Sequence, residues 1–108
     1  MTPQLELNVL VDEAARHHHL PLYSEIVHRA HKQGLAGASV FRGIEGFGRS
    51  HHLHESRKLD LGAHLPVVVV IVDEEPRIRE FATEIRALVG EIAVVTVRPV
   101  EIVTIGRR

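Results

Sequence analysis

The chain has 108 residues, 44% of them apolar, and a formal charge of −1 from 13 basic and 14 acidic side chains, which is one domain's worth of sequence able to enclose one core. It has no cysteine and no tryptophan, so disulfides and thiolate chemistry are excluded, and the balanced charge with so few aromatics argues against a nucleic-acid partner. No apolar run reaches the ~18 residues that cross a bilayer and no basic-then-apolar leader opens the sequence, so a cytoplasmic protein without direct membrane insertion is expected.

Gln4 to Val11 alternates strictly, Leu5, Leu7, Val9 and Val11 against Gln4, Glu6, Asn8 and Leu10, which predicts a half-buried strand. Asp12 to Leu20 is polar and carries His17, His18 and His19, so a loop is expected there. Pro21 suits the first turn of a helix, whose apolar stripe is Leu22, Ile26, Val27 and Ala30. Glu25 and Arg29 stand four apart in the favourable order, and Gly34 ends the helix. A second strand follows from about Ala36, with Ala38, Val40 and Ile44 on one face and Ser39, Phe41 and Gly43 on the other.

Leu65 to Val72 is nearly all apolar and rich in β-branched residues, as in a central strand. Asp73 is placed to cap the next helix, with Glu74 and Glu75 at its positive end and Pro76 in its first turn. Ile78, Phe81, Ala82, Ile85, Leu88 and Val89 recur at helical spacing, and Gly90 stops that helix. Ile92 to Ile105 is strand-like but contains Pro99, which marks a bulge, a bend or a sheet edge. The order is βαββαβ with an extra short C-terminal strand. It predicts an α+β, ferredoxin-like fold: a four-stranded antiparallel sheet with two helices on one face. The other face has no helix left to cover it, so self-association is expected.

The whole chain, 1–108, thus forms one domain with a projecting loop at about 43–57. In that loop Gly46 and Gly48 flank Phe47, and without Cβ atoms they let the backbone approach a bound group closely. Arg49 adds a forked cation suited to phosphate or carboxylate, with Ser50 beside it. Arg42 shares a strand face with Ala38 and Val40, and serves either as a ligand group or in an intersubunit ion pair. The nine histidines include His28 with His31, adjacent on a helix, and His52 with His54. The last two are spaced two apart, project to one side of an extended segment and could chelate a divalent metal. No zinc-protease signature, nucleophile elbow or paired-carboxylate pattern is present, so the protein is expected not to be an enzyme.

Pro21-Leu22-Tyr23, Gly37-Ala38-Ser39-Val40-Phe41-Arg42-Gly43, Leu65-Pro66-Val67-Val68 and His52-x-His54-x-Ser56 resemble a bacterial and archaeal family of PII-like proteins of unknown function. Glu45-Gly46-Phe47-Gly48-Arg49 is similar to the start of the mobile loop in the PII signalling proteins proper. The resemblance implies a ferredoxin-like homotrimer with ligand clefts between subunits, and an adenine nucleotide as ligand. It also implies a regulated protein partner such as a membrane transporter or channel. Gly46, Gly48 and Arg49 match cleft positions of those proteins, whereas Ser50 stands where they carry a glutamine. The reading is therefore a PII-like trimeric regulatory protein that binds a small anion, signalling through the 43–57 loop. The alternatives are a metal-responsive trimer, similar to the divalent-cation tolerance proteins, with His52 and His54 as ligands, or a structural interaction module.

Overall fold

The computed structural model describes residues 3–46, the main chain of 54–55, and 65–104. In chain order the elements are β1 (Gln4–Asp12), β2 (Arg16–His17), β3 (Leu20–Pro21), α1 (Leu22–Lys32), β4 (Ala38–Arg42), β5 (Glu45–Gly46), β6 (His54–Glu55), β7 (Pro66–Glu74), α2 (Glu75–Val89) and β8 (Ala93–Val100). Four of these strands make the main sheet in the order β4-β7-β1-β8, every neighbouring pair antiparallel. This is the α+β, ferredoxin-like architecture that the apolar periodicities predict.

Both helices lie on one face of the sheet. The register sets Leu7 between Ile71 and Val97, and Val9 between Val69 and Val95. Because side chains alternate along a strand, Leu5, Leu7, Val9 and Val11 all turn to the helices, as do Val67, Val69 and Ile71. They meet Leu22, Ile26 and Ala30 of α1 and Ile78, Phe81, Ile85 and Val89 of α2 in one buried cluster. Each fully buried aliphatic or aromatic side chain contributes about 1.5–3 kcal/mol, so this layer is the main source of stability.

Several local features differ from the sequence expectations. The stretch before α1 is not a plain loop: β2 and β3 form a small hairpin, with Arg16 opposite Pro21 and His17 opposite Leu20. Its two-residue turn is made by His18, at φ 56°, and His19. Tight hairpin turns require positive φ, and histidine tolerates that region better than branched residues do. Pro21 is the N-cap residue of α1 rather than a member of its first turn. Ile44 lies beyond the end of β4 and is exposed, so it does not extend the face of Ala38 and Val40.

Asp73 does not cap α2. It remains in β7, buried, while Glu74 is the N-cap residue. The Asp73 carboxylate accepts the backbone N–H groups of Glu74 (2.7 Å) and Ala36 (3.0 Å) and pairs with Arg77 (3.1 Å). Arg77 also donates to the Gln33 carbonyl at the C-terminal end of α1 (2.9 Å). One acidic group thus joins the start of α2, the exit from α1 and the approach to β4. The strand after Gly90 runs through Pro99 without a break, to Val100. Proline is accommodated because β8 is an edge strand, where its missing N–H leaves no ladder bond unmade. Residues 101–104 continue without regular structure.

The face away from the helices carries side chains of all four strands. Register places Phe41, Val68, Leu10 and Val94 side by side across all four strands. Phe41 is 57% exposed, Leu10 43% and Val94 43%, an apolar row with none of the described residues above it. Two residues further along β1 the row is Ser39, Val70, Asn8 and Thr96, and beyond it Glu6 lies between Val72 and Arg98. There Glu6 accepts from Arg98 (2.8 Å) and from Asn8 (3.0 Å). The open face is therefore zoned, apolar at one end and charged at the other.

Candidate functional site

The apolar row ends at Phe41, and the next residue opens the candidate site. Arg42 closes β4, pointing to the helix side of the sheet, and its side chain is 62% exposed. It forms an ion pair with Glu13 of the same chain. This pair lies within one chain and differs from the intersubunit ion pair considered from the sequence. The guanidinium presents five N–H donors in a plane and only Nη2 is engaged by Glu13.

Gly43 follows at a point of close approach. Its N–H donates to the Pro66 carbonyl (2.7 Å). A Cβ at this position would stand 2.9 Å from Pro66 Cγ and 3.3 Å from Pro66 O, so any other residue here must push Pro66 aside. Beyond it β5 pairs with β6, Glu45 opposite Glu55 and Gly46 opposite His54. This two-residue ladder brings Gly46 and His54 together at main-chain level. Phe47, Gly48, Arg49, Ser50 and His52 lie outside the described residues, as does most of the expected 43–57 loop.

Sequence reasoning missed Glu13, the residue that organises this base. Glu13 follows directly on β1. Its N–H donates to the Leu65 carbonyl (3.0 Å) and its Oε1 accepts the Leu65 N–H (3.3 Å), while Oε2 takes Arg42. The signal available in the sequence was an acidic residue at the end of the central strand β1, with a cation at the end of the edge strand β4. The pairing of β4 with β7, and of β7 with β1, is needed to show that those ends meet.

A second charged cluster lies on the helix layer. Arg29 joins Glu25 of its own helix (2.8 Å) to Glu84 of α2 (3.1 Å). The bond to Arg29 holds the Glu25 carboxyl below the usual glutamate range, and the same bond raises Arg29. These groups with His28, Lys32 and Gln33 line an open groove between the helices, which no loop-base residue borders. Among the described residues no three histidine or carboxylate groups come together as a metal would require. His28 and His31 therefore gain no third ligand there. No helix among the described residues is long and apolar enough to cross a membrane.

A four-stranded β4-β7-β1-β8 sheet backed by two helices, with an excursion leaving between β4 and β7, defines a PII-like α+β protein. Its likeness to a solved structure agrees: CPII, a nitrogen regulatory PII-like protein from Thiomonas intermedia K12 bound to ADP, AMP and bicarbonate, superposes with a TM-score of 0.64. The match covers 93% of this chain and 88% of that one at 17% identity, and so establishes the fold. The chain belongs to the DUF190 family, described as Uncharacterized ACR, COG1993, whose model matches residues 4–102. It is also similar to two UPF0166 proteins of Aquifex aeolicus (strain VF5). One is 37% identical over 83 residues, 77% of each chain; the other is 31% identical over 62 residues, 57% of this chain and 65% of that one.

Proposed function

We propose that this protein is a PII-like regulator and not an enzyme: a homotrimer, closed through the open sheet face, that binds an adenine nucleotide between subunits. The ligand's phosphate is held at the base of the 43–57 segment by Arg42, Gly46, Gly48 and Arg49, with Phe47 and Ser50 beside them. Occupancy then governs whether that segment engages a protein partner, for which the family resemblance suggests a membrane transporter or channel. The observation that carries this reading is the continuity of two features on β4. Phe41 belongs to the uncovered apolar row, and Arg42, next along β4 but turned to the helix side, belongs to the loop base, so subunits packed on that row meet beside the end of β4 from which the 43–57 segment departs. The nucleotides bound by the Thiomonas protein support the choice of ligand class.

Thermal shift with AMP, ADP, ATP and zinc, followed by calorimetry, tests the reading. A nucleotide at a hundred times its dissociation constant adds about 2.7 kcal/mol of stability. Arg49→Ala removes a charge-assisted bond and should weaken that nucleotide by roughly 1.5–3 kcal/mol. The double change His52→Ala, His54→Ala should leave it nearly intact. If zinc alone stabilises the protein, and the histidine changes abolish its effect, the metal-responsive reading replaces this one. No shift with any of the four compounds leaves only an interaction module.

A further inference from the structure

We propose that Glu13 is the built-in anion of the loop base: it pins the stem at Leu65 and holds one arm of Arg42, so that an incoming phosphate must compete with it. The inference rests on the reading that an anionic ligand binds beside Arg42. Three contacts carry it. Oε2 of Glu13 takes Nη2 of Arg42, Oε1 takes the Leu65 N–H at 3.3 Å, and the Glu13 N–H reaches the Leu65 carbonyl at 3.0 Å. Residues on the two sides of the excursion, Arg42 before it and Leu65 after it, are therefore tied to one carboxylate. The Glu13 side chain is 23% exposed and that of Arg42 62%. The cation faces solvent with its counter-charge set behind it.

This arrangement has two separable consequences. The negative charge of Glu13 lowers the potential at the guanidinium and competes for its donors, so it weakens any external anion there. Its two bonds to Leu65 hold the chain where the excursion rejoins β7, whatever the charge at Arg42. Glutamine retains an oxygen that can accept the Leu65 N–H but carries no charge. Glu13→Gln thus removes the competition and keeps the pin, whereas Glu13→Ala removes the competition and the side-chain half of the pin, leaving only the main-chain bond to the Leu65 carbonyl. Specificity follows as well: a ligand at Arg42 meets a carboxylate already in place, which favours a multiply charged phosphate over a weakly basic monoanion.

The test uses the full chain, with ADP and with inorganic phosphate as probes. Calorimetry should show Glu13→Gln binding ADP about 5- to 10-fold more tightly than wild type, the scale of one charge a few ångströms away in a half-exposed site. In an Arg42→Ala background the same change should give no gain. Independently of any ligand, Glu13→Ala should speed amide exchange at Leu65 at least about tenfold relative to Glu13→Gln, by loss of a buried-side hydrogen bond. ADP binding equally tight in wild type and Glu13→Gln overturns the competition, and unchanged Leu65 exchange in Glu13→Ala overturns the pin. If neither ADP nor phosphate binds wild type or Glu13→Gln, the anion reading itself fails and the competition falls with it. Binding by Glu13→Gln alone supports the proposal most directly.

Discussion

Leu10→Asp should convert the proposed trimer to a folded monomer. Leu10 lies on central strand β1 with Val68 on one side and Val94 on the other, facing away from the helices. With Phe41 it forms a row still 43–57% exposed at its three most open members. Full burial of such a side chain is worth about 1.5–3 kcal/mol, so completing the burial of roughly half of each gives about 1 kcal/mol apiece. That is about 3 kcal/mol per subunit and about 9 for a threefold assembly, from this row alone, against the entropy of association. An aspartate at position 10 removes one member of the row. It also forces an ion into the covered interface in every copy, at several kcal/mol each. The combined loss exceeds the gain. The fold should survive, because no core contact is altered and the poor strand propensity of aspartate costs about 1 kcal/mol at most. Light scattering at micromolar concentration measures the outcome, with circular dichroism to verify folding. Leu10→Ala, losing only the burial, should shift the association without abolishing it. A Leu10→Asp protein that retains the wild-type trimer mass would refute the assignment of this face as the interface. So would a wild-type protein that is already monomeric.

Three further outcomes follow from the same geometry. Asp73→Ala takes the acceptor from the part-buried bonds of the Ala36 and Glu74 N–H groups and frees Arg77, so denaturant unfolding should show a loss of about 2 kcal/mol, against less than about 1 for the half-exposed Arg77→Ala; equal small losses would show that the carboxylate is not the junction. Gly43→Ala forces a Cβ into Pro66, while Gly37 has nothing within 4 Å; thermal melts should find the first destabilising by about 1–2 kcal/mol and Gly37→Ala neutral or slightly stabilising. Glu6 is held below the usual glutamate range, first by its bond to Arg98 and then by Asn8, so its contribution is complete above the ordinary glutamate pKa of about 4.3 and disappears as pH falls through the lowered folded value. Arg98→Met should flatten the acid limb of the stability curve, and an unchanged limb would remove Glu6 from the account.

The alternation from Leu5 to Val11, the apolar run from Val67 and the 3.6-residue stripes of both helices were legible in the chain because each period reflects burial on one side. These patterns, with Gly34 and Gly90 at the helix ends, determine the βαββαβ order and the helix-covered core. They also leave one sheet face without a helix, since both helical stripes belong to the other face. The hairpin through His18 was not legible, because its strands are two residues long and carry no period. Asp73 looked like a cap because capping residues and buried junction carboxylates share one local context, Asp before acidic residues and proline. Only the packing of Ala36 and Arg77 against it tells them apart. The site divides in the same way. The glycines and Arg42 announced a place where backbone and cation could meet an anion, since glycine and arginine carry those capacities wherever they stand. Glu13 could be found only in three dimensions, since 29 residues separate it from Arg42. Strand pairing sets the end of β1 beside the ends of β4 and β7, and local sequence cannot encode a contact that two long-range registers create.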